Sequence, residues 1–169
     1  AWWEYFDDLK DVAGNNPGYS GWDRIFSDRP YYMLQCDFCF MISPEHFDKF
    51  ARPELEKTSS RLGRCFYHLD GPGQLNHLDS ILEIEEIDGI QWIPGAGEKE
   101  IHEWPEVFKK ITKAGKLVQV MSALTSKPFE VLDIITDQTG RADNIIYDLQ
   151  VDVSEKYEVE KLLDKYGVI

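Results

Sequence analysis

Cations, cysteines and long apolar runs are all scarce in this chain. Only 18 Lys and Arg stand against 31 Asp and Glu, a formal net charge of −13. Phosphate backbones are held by clustered cations that release counterions, and the one local cluster, Lys109, Lys110, Lys113 and Lys116, falls around an expected helix end, so no nucleic-acid partner is expected. No run of about 18 apolar residues exists to span a bilayer, which argues against a membrane. The first residues lack the cationic-then-apolar order of a secretory signal, and a cytoplasmic location is the expectation. Cys36, Cys39 and Cys65 are an odd number in a chain large enough to fold without staples, so reduced thiols are expected.

What is present is core material, with 43% hydrophobic and 13% aromatic residues over 169 positions, enough for one domain. Short apolar runs recur at Tyr31 to Asp37, Cys65 to Asp70, Gly89 to Pro94, Leu117 to Met121 and Asn144 to Gln150. Helical patterns lie between them, and that rhythm predicts an α/β fold of about five parallel βα units. Ser43-Pro44-Glu45 reads as an N-cap, a first-turn proline and a carboxylate at the positive helix end, ahead of the stripe Phe47, Phe50, Ala51 and Leu55. Further stripes follow at Leu75 to Leu82, Trp104 to Ile111, Phe129 to Ile135 after Ser126, and Val159 to Tyr166 after Ser154. Residues 1–30 read differently, as an amphipathic helix carrying Trp2, Trp3, Phe6 and Leu9 and then a loop from Gly14 to Gly18. The expectation is a single domain over 1–169, with βα units from 31 onward.

Strands buried in such a sheet should be almost uniformly apolar, so polar residues near their C-terminal ends need a reason. Gln35 with Asp37, His68 with Asp70, Gln91, Gln119, and Asp148 with Gln150 form such a set. Side chains alternate along a strand, placing His68 and Asp70 on one face just before Gly71-Pro72-Gly73, whose glycines permit a tight turn into a helix. Imidazole beside carboxylate serves two chemistries, a ligand pair for zinc or another divalent ion and a base oriented by an acid. The sequence leaves both open, with Asp37, Gln35, Gln91 and Gln119 expected to line the same pocket for a small-molecule substrate. Gly95, in Trp92-Ile93-Pro94-Gly95-Ala96-Gly97, offers backbone N–H groups to an anion, though the loop lacks a nucleotide fingerprint. Cys36-x-x-Cys39 with Cys65-x-x-His68 copies a zinc spacing, but on a strand positions three apart face opposite ways. Cys65 and Trp92 are expected to pack in the core, and His46, His77 and His102 to lie on the surface.

Several of these stretches resemble a known family. Ile42-Ser43-Pro44-Glu45-His46-Phe47, Arg52-Pro53-Glu54-Leu55, Tyr67-His68-Leu69-Asp70-Gly71-Pro72-Gly73 and Asp88-Gly89-Ile90-Gln91-Trp92-Ile93-Pro94-Gly95-Ala96-Gly97 look like the C-terminal half of the uroporphyrinogen decarboxylase superfamily. That superfamily includes corrinoid-dependent methyltransferases, and the resemblance, covering about residues 31–125, implies the latter part of a (β/α)8 barrel. In the methyltransferase branch a His-x-Cys and a later Cys bind the zinc that activates a substrate thiol. His68 matches that histidine, Asp70 stands where the cysteine would be, and no cysteine follows Cys65. The resemblance therefore implies methyl transfer or a related lyase reaction, with His68 and Asp70 as metal ligands or acid/base groups and a corrinoid carried by a partner protein. The substrate-binding arginine and aspartate of the decarboxylases belong to the first barrel half, so porphyrinogen decarboxylation itself is not expected. A half barrel also exposes a sheet edge, and the competing expectation is a non-catalytic binding or self-assembling module.

Overall fold

The computed structural model describes residues 2–14 and 17–168. Asn15 and Asn16, in the loop expected between Gly14 and Gly18, lie outside the described residues. Five strands form one parallel sheet in sequential order: β3 (Tyr31–Leu34), β4 (Arg64–Asp70), β5 (Gly89–Ile93), β6 (Leu117–Met121) and β7 (Ile145–Asp148). Each is followed by helix: α2 (Pro44–His46) and α3 (Arg52–Ser59), then α4 (Leu78–Leu82), α5 (Pro105–Lys113), α6 (Val131–Thr139) and α7 (Lys156–Lys165). Ahead of them stand α1 (Trp2–Ala13) and a two-stranded antiparallel ribbon, β1 (Tyr19–Ser20) with β2 (Phe26–Ser27). Sequential parallel order with the helices on one face is the geometry of a half-barrel of βα units. Among the described residues no helix is long and apolar enough to cross a membrane.

Strand alternation divides the interior in two. Cys65, Tyr67 and Leu69 of β4, Ile90 and Trp92 of β5, and Val118 and Val120 of β6 face the helices, where they meet Leu55, Ile81, Phe108, Ile111 and Ile135. Trp92 is fully buried there, edge-on to Trp104 with ring centroids 5.3 Å apart. The opposite face carries Tyr31, Met33 and Phe66, covered by Ile25 and Tyr19 of the N-terminal ribbon. Gly89 is where Phe66 crosses β5: a Cβ at that position would sit 2.4 Å from the Phe66 ring and 2.9 Å from the Leu117 Cβ.

Local chemistry sets the element ends, in several places against expectation. Ser43 caps α2, accepting from the His46 N–H. Pro53 has no N–H to return, and the helix ahead of it loosens into a π-helix over Phe47–Ala51 before α3 continues. Ser126 and Ser154 do not cap their helices. Asp152 opens the last helical run, accepting from Ser154 N–H at 2.8 Å, with Glu155 returning to the Asp152 N–H at 2.9 Å. α1 has no buried residue, with Trp2 and Leu9 exposed and Trp3 half-buried.

Candidate functional site

The parallel register places His68 opposite Gln91, and Gln91 opposite Gln119. Three polar side chains therefore stand in one row across β4, β5 and β6, on the face away from the helices. Their hydrogen bonds form a directed chain whose far end is the carbonyl of Asp23. A carbonyl only accepts, so Gln119 must present Nε2 to it, at 2.7 Å. Gln119 Oε1 then accepts from Gln91 Nε2 at 2.8 Å, and Gln91 Oε1 is left to accept from His68 Nδ1 at 2.5 Å. The chain fixes His68 Nδ1 as a donor, so a neutral imidazole here carries its proton on Nδ1 and its lone pair on Nε2. Gln91 and Gln119 are fully buried, which makes the orientation expensive to reverse.

Asp70 completes the pair, its carboxylate 3.9 Å from His68 Nε2. It ends β4, and Gly71, at φ +80°, turns the chain at once into the 3-10 helix Pro72–His77. The His68 side chain is 14% exposed and that of Asp70 49%, so the imidazole is nearly enclosed while its partner reaches solvent. Trp22, itself largely exposed, stands edge-on to His68 with ring centroids 5.1 Å apart.

Trp22, Asp23 and Arg24 form a strap over the row. Trp22 meets β4, the Asp23 carbonyl meets β6, and Arg24 pairs with Asp148 at the end of β7, 3.2 Å away. Arg24 holds φ +63°, a conformation costing an ordinary side chain about 1–2 kcal/mol. The turn is held by the Ile25 N–H, which donates to the buried Asp23 carboxylate at 2.8 Å. The Asp23 carboxylate also bears on Tyr31, whose hydroxyl pKa is raised, first by burial and then by that carboxylate. None of the three strap residues was singled out in the sequence; the signal for them was two glutamines in buried strands with no partner of their own.

The remaining sequence candidates sit elsewhere. β3 stops at Leu34, because Cys36 opens a 3-10 turn over Asp37–Met41, so Gln35 and Asp37 share no strand face. Both are exposed, and Gln35 lines a groove of about 380 Å³ along the β3 edge with Leu34, Phe38 and Phe50. Gly95 lies at φ +97° in an exposed turn after β5. β7 stops at Asp148, and Gln150 lies beyond it, its N–H donating to Ser122 Oγ at 2.8 Å.

His46 is on the surface as expected, but His77 and His102 are not. His77 is buried, donating from Nε2 to the Cys39 carbonyl at 2.8 Å and stacking on Phe47, because its 3-10 turn packs under the sheet end. His102 is half-buried and hydrogen-bonds Thr125 Oγ1 through Nδ1 at 3.1 Å. Beside it Glu100 accepts from the Ser126 N–H and hydroxyl, which hold its pKa below the usual carboxylate value.

As a metal centre the His68 site is short of donors. His68 and Asp70 supply two, whereas a resident zinc takes three or four protein ligands. Among the described residues no three His, Cys, Asp or Glu gather to hold a metal. What the site does hold is a histidine whose Nδ1 is committed as donor, a carboxylate beside its Nε2, and the edge of an indole against its ring.

Fold and site together define a class, a parallel βα half-barrel with an amide-oriented histidine on the face opposite its helices. Comparison with known proteins found no matching family model, no matching curated protein and no matching solved structure.

Proposed function

We propose that this chain is the later part of a uroporphyrinogen decarboxylase-like barrel and that its His68 site moves a proton on a small substrate, in methyl transfer or a related lyase reaction. The observation that carries the reading is the hydrogen-bond chain that commits His68 Nδ1 as donor and leaves Nε2 open. Nε2 takes a proton from a thiol or carbon acid of the substrate, and the imidazolium formed is stabilised by Asp70 and by the Gln91 oxygen. In the same reading the methyl donor or acceptor would be a corrinoid carried by a partner protein. The motifs around His68, Asp88 to Gly97 and Ser43 to Leu55 support the family assignment, as does the sequential parallel sheet.

The test compares the parent with His68→Ala by titration calorimetry against a corrinoid, a small thiol and a small carboxylate, alongside metal analysis. The reading expects at least one of these to bind the parent and to be weakened tenfold or more by the substitution. Equal binding by both proteins would make His68 structural and end the proposal.

A second reading, self-assembly through the open sheet edges, is favoured by two observations. Phe38, Phe40, Met41 and Phe50 stand exposed at the β3 side, and an apolar groove of about 860 Å³ runs between β7 and α7. Light scattering decides it, since a strict monomer at high concentration contradicts this second reading.

A further inference from the structure

Cys36 and Cys39 are not where a strand would put them. With β3 ending at Leu34, the two thiols sit at the start of a 3-10 turn, and the Cys39 N–H donates to the Cys36 carbonyl at 3.0 Å. Such an i to i+3 bond brings the two Cα atoms within about 7 Å, and the Cys36 side chain lies close enough to act on the Cys39 thiol. Disulfides span Cα separations of about 4.4–6.8 Å, so a turn of this kind holds the pair close to bonding range. The pair is also asymmetric. Cys36 is half-exposed, on the wall of the groove along β3, whereas Cys39 is fully buried.

The surroundings hold the turn in place. His77 donates to the Cys39 carbonyl at 2.8 Å, and Cys39 Sγ lies 3.7 Å from the Tyr67 hydroxyl, which itself donates to Gln74. Burial pushes the Cys39 thiol up to about 11, and the Cys36 side chain is among the neighbours that raise it. Cys65, the third thiol, is buried on β4, where it donates to the Glu86 carbonyl at 3.1 Å.

We propose that Cys36-Asp37-Phe38-Cys39 is a redox-active dithiol that exchanges with small-molecule disulfides and closes reversibly to an intrachain disulfide. The Cys36 thiolate attacks one sulfur of the small disulfide, forming a mixed disulfide and expelling one thiolate. Cys39, once deprotonated, attacks the Cys36 sulfur and expels the second. The protein loses two electrons and two protons, and the small disulfide is reduced to two thiols. Because the second step needs the Cys39 thiolate, far below its pKa the closure rate rises about tenfold per pH unit.

The test incubates the full chain under native conditions with oxidised glutathione, quenches in acid and maps the peptides by mass spectrometry. The expected product joins Cys36 to Cys39 with Cys65 free, after a transient glutathionyl adduct on Cys36 whose decay quickens with pH. Cys39→Ala should stop at that adduct, and Cys36→Ala should stay unmodified, with circular dichroism confirming that each variant folds. The wild-type map decides by itself even if a variant misfolds. A lasting adduct on Cys36, a product joined to Cys65, or no reaction at Cys36 would each overturn the proposal.

Discussion

Replacing Gln119 with leucine tests the orientation of His68 from a residue that does not touch it. The substitution keeps the volume of a fully buried side chain and removes both ends of its amide. Two groups lose their partner, Gln91 Nε2 and the Asp23 carbonyl, bonded at 2.8 and 2.7 Å. A buried polar group left unsatisfied costs about 1–3 kcal/mol, so with two of them Gln119→Leu should destabilise the fold by about 2–6 kcal/mol. It should also act at a distance. Without the anchor Gln91 is free to turn its amide over, present Nε2 to His68, and allow the proton on either ring nitrogen.

Urea unfolding measures the first effect, and long-range ¹H–¹⁵N spectra of the imidazole measure the second. The parent should show a pyridine-like Nε2 and a pyrrole-like Nδ1, and the variant a mixture. A destabilisation below about 1 kcal/mol, together with an unchanged tautomer, would refute the hydrogen-bond chain.

Two further outcomes follow from other parts of the molecule. Gly89→Ala drives a methyl into the Phe66 ring and the Leu117 Cβ, and overpacking of this kind should cost about 1–3 kcal/mol in urea unfolding without loss of secondary structure. Asp133 accepts from Lys165 and Tyr166 across to α7, and these bonds hold its pKa below the unfolded value of 3.8. Such a group contributes stability above the unfolded pKa that is lost as pH falls through the folded one, so Asp133→Asn should flatten the stability profile below about pH 4, measured by thermal melting against pH. An acid limb unchanged by the substitution would exclude Asp133 as its source.

Much of this architecture was legible because sheet burial and strand period are local properties. Leu117 to Met121 is both the predicted run and the observed strand, and the other four strands differ only at their ends. Those ends depend on bonds that composition does not reveal. Cys36 begins a 3-10 turn, and this one event removed Gln35 and Asp37 from the expected pocket while joining Cys36 to Cys39 through a backbone hydrogen bond. His68, Gln91 and Gln119 were readable together because each interrupts an apolar strand. Trp22, Asp23 and Arg24 were not, since their partners lie 46 to 124 residues away in the chain, beyond the reach of any periodicity. His77 was misplaced for a related reason: it packs on Phe47, in the π-helix, and bonds Cys39, in the 3-10 turn, both more than about 25 residues ahead of it in the chain.

The strap from Trp22 to Arg24 also bears on how the chain acquires its shape. Every partner it reaches belongs to a strand made later in sequence, and two of the three strands it touches, β6 and β7, must already be aligned for it to engage. Contacts of such long sequence separation carry a large loop-closure cost and form late. The βα units can associate in succession through near-neighbour contacts, leaving the N-terminal strap to dock last. Maturation of the histidine site is thereby tied to the final kinetic phase, and Trp22 emission should report it after helical signal has already recovered.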